Sequence, residues 1–429
     1  MITRAPVSWR RRPLVVALAL LALAATSCSG DDDGAPSASA TGAPTTTAAS
    51  FEVTGTDFYT PPEPLPGEEH GDLIWAEPIE SWWGSPRRAW RVLYRSEAVS
   101  GDPVAVTGFV IAPPASTGGS EDAALPVVAW AHETVGSGDL CAPSRTLFDE
   151  MPTTPPRSTV AAQLSAAVDS GSVVVATDYE GLGTPGPHPF LVGETAGRGV
   201  LDAVRAARQL PEVNAGTDTA IYGVSQGGQA ALWAAQIAPE WTPEIDVLGV
   251  VAVAPFSEVD LLLPAAATVA GAEGYLVLGV YGQAAANPEI DPTAVLDPAV
   301  VEQAELVEQR CVPEVFAAFR QVVAASGRPV GKFEALNTSQ WKDQLASLKP
   351  GTVPVGVPVL LAQGDRDTTI PAATTKILAD RMCAGGDTVA TVNKPDAGHG
   401  DIVGAADAEI RAFLEARLAG DPATSTCRS

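Results

Sequence analysis

The chain has 429 residues, a formal net charge of −25 and a pI near 4.4. It carries no basic stripe, which argues against a nucleic-acid-binding protein. Its cysteines and four histidines are scattered and form no CxxC pair, which argues against a zinc site. Hydrophobic residues make up 46% of the chain but aromatics only 6%, so Ala, Val and Leu must build most of the core. That suits an α/β protein whose buried parallel strands read as short apolar runs.

Arg4 and Arg10 to Arg12 precede the apolar run 14–25, LVVALALLALAA. This has the form of a signal peptide over 1–27 and is short for a membrane span. Ala25-Thr26-Ser27-Cys28 resembles the bacterial lipoprotein processing site, so Cys28 is expected to become a lipidated N-terminus that contacts the membrane. Ordinary signal cleavage nearby is the alternative, leaving a secreted protein. Residues 29–50 are Ser, Thr, Ala, Gly and Asp with almost no large apolar side chains. Such a stretch cannot offset its ordering entropy, and a flexible tether is expected over 28–55.

Strands are expected at 90–96 and 104–112, then at 125–131, 172–177, 219–223 and 247–254. Helices are expected at 159–168, 199–210 and 226–237. Strands alternating with helices imply right-handed βαβ units and a mostly parallel sheet. After Pro255 the rhythm breaks. Residues 256–345 hold helical patterns such as 300–309 and 315–324, and read as a helical cap inserted into a core formed by 56–255 and 346–429. Two apolar stretches of the cap, 261–263 and 275–280, are candidates to line an acyl pocket. The alternation resumes with a strand near 357–363, a helix near 375–382, a strand near 388–393 and a last helix near 405–418.

Gly223-Val224-Ser225-Gln226-Gly227 matches G-x-S-x-G at a strand-to-helix junction, the context in which a serine sits on a sharp turn with its hydroxyl exposed. The helix behind it offers free N–H groups to a developing anion. A serine needs a base, and of the four histidines only His399 follows Ser225. His132 and His188 are read as loop-supporting or cleft-lining. The acid should lie between serine and histidine. Asp365 and Asp367 compete on the loop after strand 357–363, and Asp367 is preferred by its distance from Gly364. An oxyanion hole would combine the N–H of Gln226 with that of Glu133 or Thr134.

The chain resembles the secretory lipase family of α/β-hydrolases. The resemblance rests on Tyr94-Arg95-Ser96, Val106-Thr107-Gly108, Trp130-Ala131-His132, Cys141-Ala142-Pro143-Ser144, Asp178-Tyr179-Glu180-Gly181-Leu182-Gly183, Leu201-Asp202-Ala203-Val204-Arg205-Ala206 and Gly223 to Gly228. It implies an α/β-hydrolase fold with a helical lid, an ester or lipid substrate, no cofactor and Asp367 as the acid. It also implies the pairs Cys141–Cys311 and Cys383–Cys427, where four cysteines alone permit three pairings. The family commonly has His-Gly-Thr where this chain has His132-Glu133-Thr134. Rival readings are an acyltransferase on the same fold and a non-catalytic lipid-binding surface lipoprotein.

Overall fold

Nine strands form one sheet among the described residues: β1 (Leu73–Ile79), β2 (Arg88–Glu97), β3 (Pro103–Ala112), β4 (Leu125–Ala131), β5 (Val173–Thr177), β6 (Ala215–Val224), β7 (Asp246–Val253), β8 (Val359–Gly364) and β9 (Val389–Lys394). Their spatial order is β1-β2-β3-β5-β4-β6-β7-β8-β9. β1, β2 and β3 pair antiparallel, as do β3 and β5, and every later neighbour is parallel. The computed structural model describes residues 51–55, 57–79, 87–114, 123–149 and 159–427. The expected signal segment, Cys28 and the tether as far as residue 50 lie outside these. The fold is that of an α/β-hydrolase, as expected.

The central strands are apolar on both sides because both faces are covered. Side chains alternate between faces. Val128, Trp130, Val174, Ala176, Tyr222, Val251 and Val253 join one core together with the cap. Val127, Ala129, Val173, Val175, Ile221, Val250 and Ala252 join the other, against helices Gly193–Arg208, Gln226–Trp241 and Ala372–Gly385.

Two elements depart from the sequence reading. β1 was not expected: its sequence LIWAEPI carries Pro78 and lacks clean alternation. It survives as an edge strand, where a missing N–H is tolerated. The helix expected from 199 begins at Gly193. Its glycines disguise it, since Gly is a poor helix former, but they serve packing. A Cβ on Gly197 would lie 2.8 Å from the backbone nitrogen of Ala234 on the neighbouring helix.

Between β7 and β8 the described chain is helical, from Val259–Ala266 and Glu273–Ala286 through Ser339–Ser347. The helix expected at 300–309 is divided into Pro298–Val301 and Glu305–Gln309. The two apolar stretches of the cap meet at Leu263 and Gly279, while Leu261 is exposed. Leu263 is buried, and its Cδ1 lies 2.5 Å from where a Cβ on Gly279 would sit. At the root of the cap the buried Glu258 carboxylate lies 2.7 Å from both Lys349 and Arg381, while Lys349 also reaches Asp260 at 3.1 Å. Disulfides join Cys141 to Cys311 and Cys383 to Cys427.

Helix propensity alone would have Gly197→Ala stabilise the protein by about 1 kcal/mol. The backbone contact predicts the opposite sign, a net loss of roughly 1 kcal/mol or more from overpacking. Urea unfolding of the variant checks this, and a raised midpoint would contradict the close-contact argument.

Candidate active site

Ser225 joins the end of β6 to helix Gln226–Trp241 with φ +56° and ψ −114°. A non-glycine residue there stores on the order of 1–3 kcal/mol of strain and needs a frame that over-determines it. Hydrogen bonds supply that frame. The Ser225 N–H donates to Val253 O (2.8 Å), and the Ser225 carbonyl accepts from Phe256 N (3.0 Å) and Gln229 N (3.2 Å). The flanking glycines are steric requirements. A Cβ on Gly223 would lie 2.0 Å from Gly227 O, and one on Gly227 would lie 1.9 Å from Ala131 O at the end of β4.

His399 lies on the loop after β9. Its Nε2 is 3.1 Å from Ser225 Oγ and its Nδ1 is 2.7 Å from Asp367 Oδ2. Asp367 is buried at the C-terminal end of β8, and its Oδ1 accepts N–H bonds from Thr369 (2.8 Å) and Ile370 (2.7 Å). Gln363 Nε2 donates to Oδ2 at 3.3 Å, while Gln363 Oε1 accepts from Thr375 Oγ1 at 2.6 Å. The carboxylate is therefore held in one orientation by three donors. Asp365 is exposed, and it is the Asp367 carboxylate that bonds His399. The sequence reading missed Gln363, although a polar residue ending the apolar run VPVLLAQ was a signal for it.

The loop after β4 carries His132, Glu133 and Thr134 beside this group. The buried His132 ring lies 2.6 Å from Glu133 O through Nδ1, and Tyr179 OH donates to His132 O at 3.0 Å. Glu133 is exposed, yet desolvation by the surrounding protein pushes its carboxyl above the ordinary range. Its own N–H and the nearby His399 pull it back down. His188 has a more specific place than cleft-lining. Its Nδ1–H donates to Glu180 O (2.8 Å) and its Nε2 accepts from Gln226 Nε2 (3.1 Å), which fixes the side chain of the residue after Ser225. Burial drives the His132 and His188 pKa values down to about 4.

A cavity of about 240 Å³ lies against the turn after β8, lined by Phe256, Leu262, Tyr275, Thr368, Thr369 and Pro371 among others. A larger groove of about 780 Å³ follows the β9 edge; Ser225, Asp367 and His399 are in the walls of neither, but the smaller cavity adjoins the turn that holds Asp367. Among the described residues no group of three or more His, Cys, Asp or Glu side chains is arranged to hold a metal ion.

The two depressed histidines make acid a destabiliser. Unfolded, each binds a proton near pH 6.5, whereas folded each resists until about pH 4. Their contribution is therefore complete above pH 6.5 and is lost as pH falls from there towards 4. His188→Gln should show a shallower fall of urea midpoint between pH 6.5 and 4.5 than the wild type. An identical slope would contradict the burial argument for this ring.

The secretory lipase family model matches residues 158–426. The chain is 25% identical over 386 residues to the secreted triacylglycerol lipase LIP4 of Malassezia globosa, covering 86% of this chain and 82% of that one. It is also 25% identical over 346 residues to a Mycobacterium tuberculosis protein named Probable inactive lipase MT1628, covering 77% of this chain and 74% of that one. Candida antarctica lipase A in its closed state superposes with a TM-score of 0.71 at 18% identity, over 89% of each chain. The rice cell wall degrading esterase LipA of Xanthomonas oryzae gives 0.63 at 18%, over 82% of this chain and 97% of that one. At these identities the superpositions speak for the fold alone. The family match extends over more than half of the residues, and the chain belongs to the secretory lipase family of carboxylic ester hydrolases.

Proposed function

We propose that the protein hydrolyses uncharged carboxylic esters with apolar acyl groups by acyl transfer through Ser225. The observation that carries this reading is the continuous chain from Ser225 Oγ through the His399 ring to the Asp367 carboxylate. His399 Nε2 takes the proton as Oγ attacks the ester carbonyl, and Asp367 holds the Nδ1–H tautomer and offsets the imidazolium charge. The leaving alcohol takes that proton. Water then attacks the acyl-enzyme by the same route, restoring Ser225. The N–H of Gln226 and that of Glu133 or Thr134 receive the oxyanion, each contributing about 3 kcal/mol of barrier lowering. The apolar cavity between the cap and the acid loop supports an acyl substituent, as does a relative named as a triacylglycerol lipase.

Ser225→Ala and His399→Ala should abolish hydrolysis of p-nitrophenyl esters while leaving the circular dichroism spectrum intact. Asp367→Asn should lose on the order of 10⁴-fold in kcat, and Asp365→Asn no more than a few-fold. Full activity in either alanine variant, or the reverse ranking of the aspartates, would reject this mechanism. In the wild type, each methylene added to the acyl chain should raise kcat/KM roughly fourfold, equivalent to about 0.8 kcal/mol, until the cavity is full. A flat series would reject the apolar acyl site.

The protein is further proposed to act outside the cytoplasm, tethered through a lipidated Cys28. The sequence at 25–28 supports this, as does the secreted relative. Mass spectrometry of the mature N-terminal peptide decides it, and an N-terminus several residues beyond Cys28 would leave a secreted, unanchored enzyme.

A further inference from the structure

The loop 132–138 has two differently anchored ends. Its first residues belong to the core: Ala131 O touches Gly227 of the elbow, and His132 O accepts from Tyr179. Its far end belongs to the cap. The Val312 N–H donates to Val135 O at 2.9 Å, and Gly136 pairs with Cys311 in an antiparallel bridge. Gly136 has φ +120°, and a Cβ there would sit 3.0 Å from both Arg310 O and Cys311 Cα. The Cys141–Cys311 disulfide closes this contact, with its Cα atoms 5.4 Å apart. Glu133 and Thr134 lie between the two anchors.

We propose that Cys141, Cys311 and the short ribbon beside them are positioning residues for the oxyanion loop, so that turnover depends on this disulfide beyond its effect on stability. The inference rests on the acyl-transfer reading, in which Glu133 or Thr134 donates to the oxyanion. The bridge with its Val312–Val135 hydrogen bond contributes only about 1 kcal/mol, and the close approach of Gly138 to Glu308 O adds fit without a tie; neither prevents the ribbon from opening. The covalent link does this. It joins residues 170 apart in sequence and leaves the ribbon little freedom to open. Oxyanion donors act only when aimed at the place where charge develops, and a shift of about 1 Å is enough to cost on the order of 100-fold in rate. The same link makes the cap and the oxyanion loop move as one piece. A displacement of cap residues 308–312 would therefore be felt at Thr134.

The test compares two double variants, Cys141→Ser/Cys311→Ser and Cys383→Ser/Cys427→Ser, well below their melting temperatures. A short soluble ester serves as substrate, and an alkylboronic acid serves as the probe whose tetrahedral adduct places an oxygen in the oxyanion site. Loss of Cys141–Cys311 should lower kcat on the order of 10- to 100-fold, leave KM within about threefold, and raise the boronate Ki in step with the fall in kcat. Loss of Cys383–Cys427 should leave kcat and Ki within about twofold, whatever it does to melting. If the first variant does not fold, Gly136→Ala crowds the same ribbon with the disulfide intact and should give the same signature. Wild-type kcat and boronate Ki in a folded Cys141→Ser/Cys311→Ser or Gly136→Ala protein would overturn the inference alone. Retained activity in Ser225→Ala would instead remove the acyl-transfer reading on which it rests.

Discussion

Three pieces of backbone converge on Ser225, and the rest of the site is arranged around that crowding. The end of β4 touches Gly227, the first helical turn touches Gly223, and the end of β7 accepts the Ser225 N–H. Side chains at the two glycine positions would force these elements apart. With them absent, the serine is held at a positive φ with its hydroxyl facing His399. The neighbouring parts inherit their positions from this point. The loop that begins at His132 leaves from Ala131, and the cap leaves just beyond Phe256, whose N–H is bonded to the Ser225 carbonyl. Strain at one residue is thus balanced by contacts that also set the origin of the loop after β4 and of the cap.

What could be read from sequence follows from where the determining contacts lie. β4 to β8 were visible because strands buried on both faces write themselves as uninterrupted apolar runs. The elbow was visible because both of its steric requirements lie within two residues of Ser225. β1 was hidden because an edge strand faces weaker demands and can carry Pro78. The first turns of helix Gly193–Arg208 were hidden for a different reason. Gly197 answers to Ala234, nearly forty residues away, and nothing local distinguishes such a contact glycine from a loop glycine.

The same division applies within the site. Asp367 stood out from Asp365 by position on its loop, and the folded structure gives the physical basis: the turn at 367–370 aims two N–H groups at one carboxylate. The bond from Gln226 to His188 joins positions 38 apart, and a histidine in a Pro- and Gly-rich loop offered no hint of it. Glu133 was legible as a departure from a family pattern. Its desolvation and its proximity to His399 arise only in the folded chain.

The Glu258 cluster has a consequence for how this chain can vary. Glu258 stands where the chain enters the cap and Lys349 where it leaves, and the two are tied to each other and to Arg381 on a core helix. The insertion therefore hangs from a pinched neck. Because loop-closure entropy grows only slowly with length, the sheet is nearly indifferent to how many residues hang beyond that neck. The cap is free to change size and lining as a unit, like an interchangeable fitting on a standard socket. Cap segments that pack closely on the core lack that freedom, among them Gly282 against Phe190 and the residues around Cys311 against Gly136.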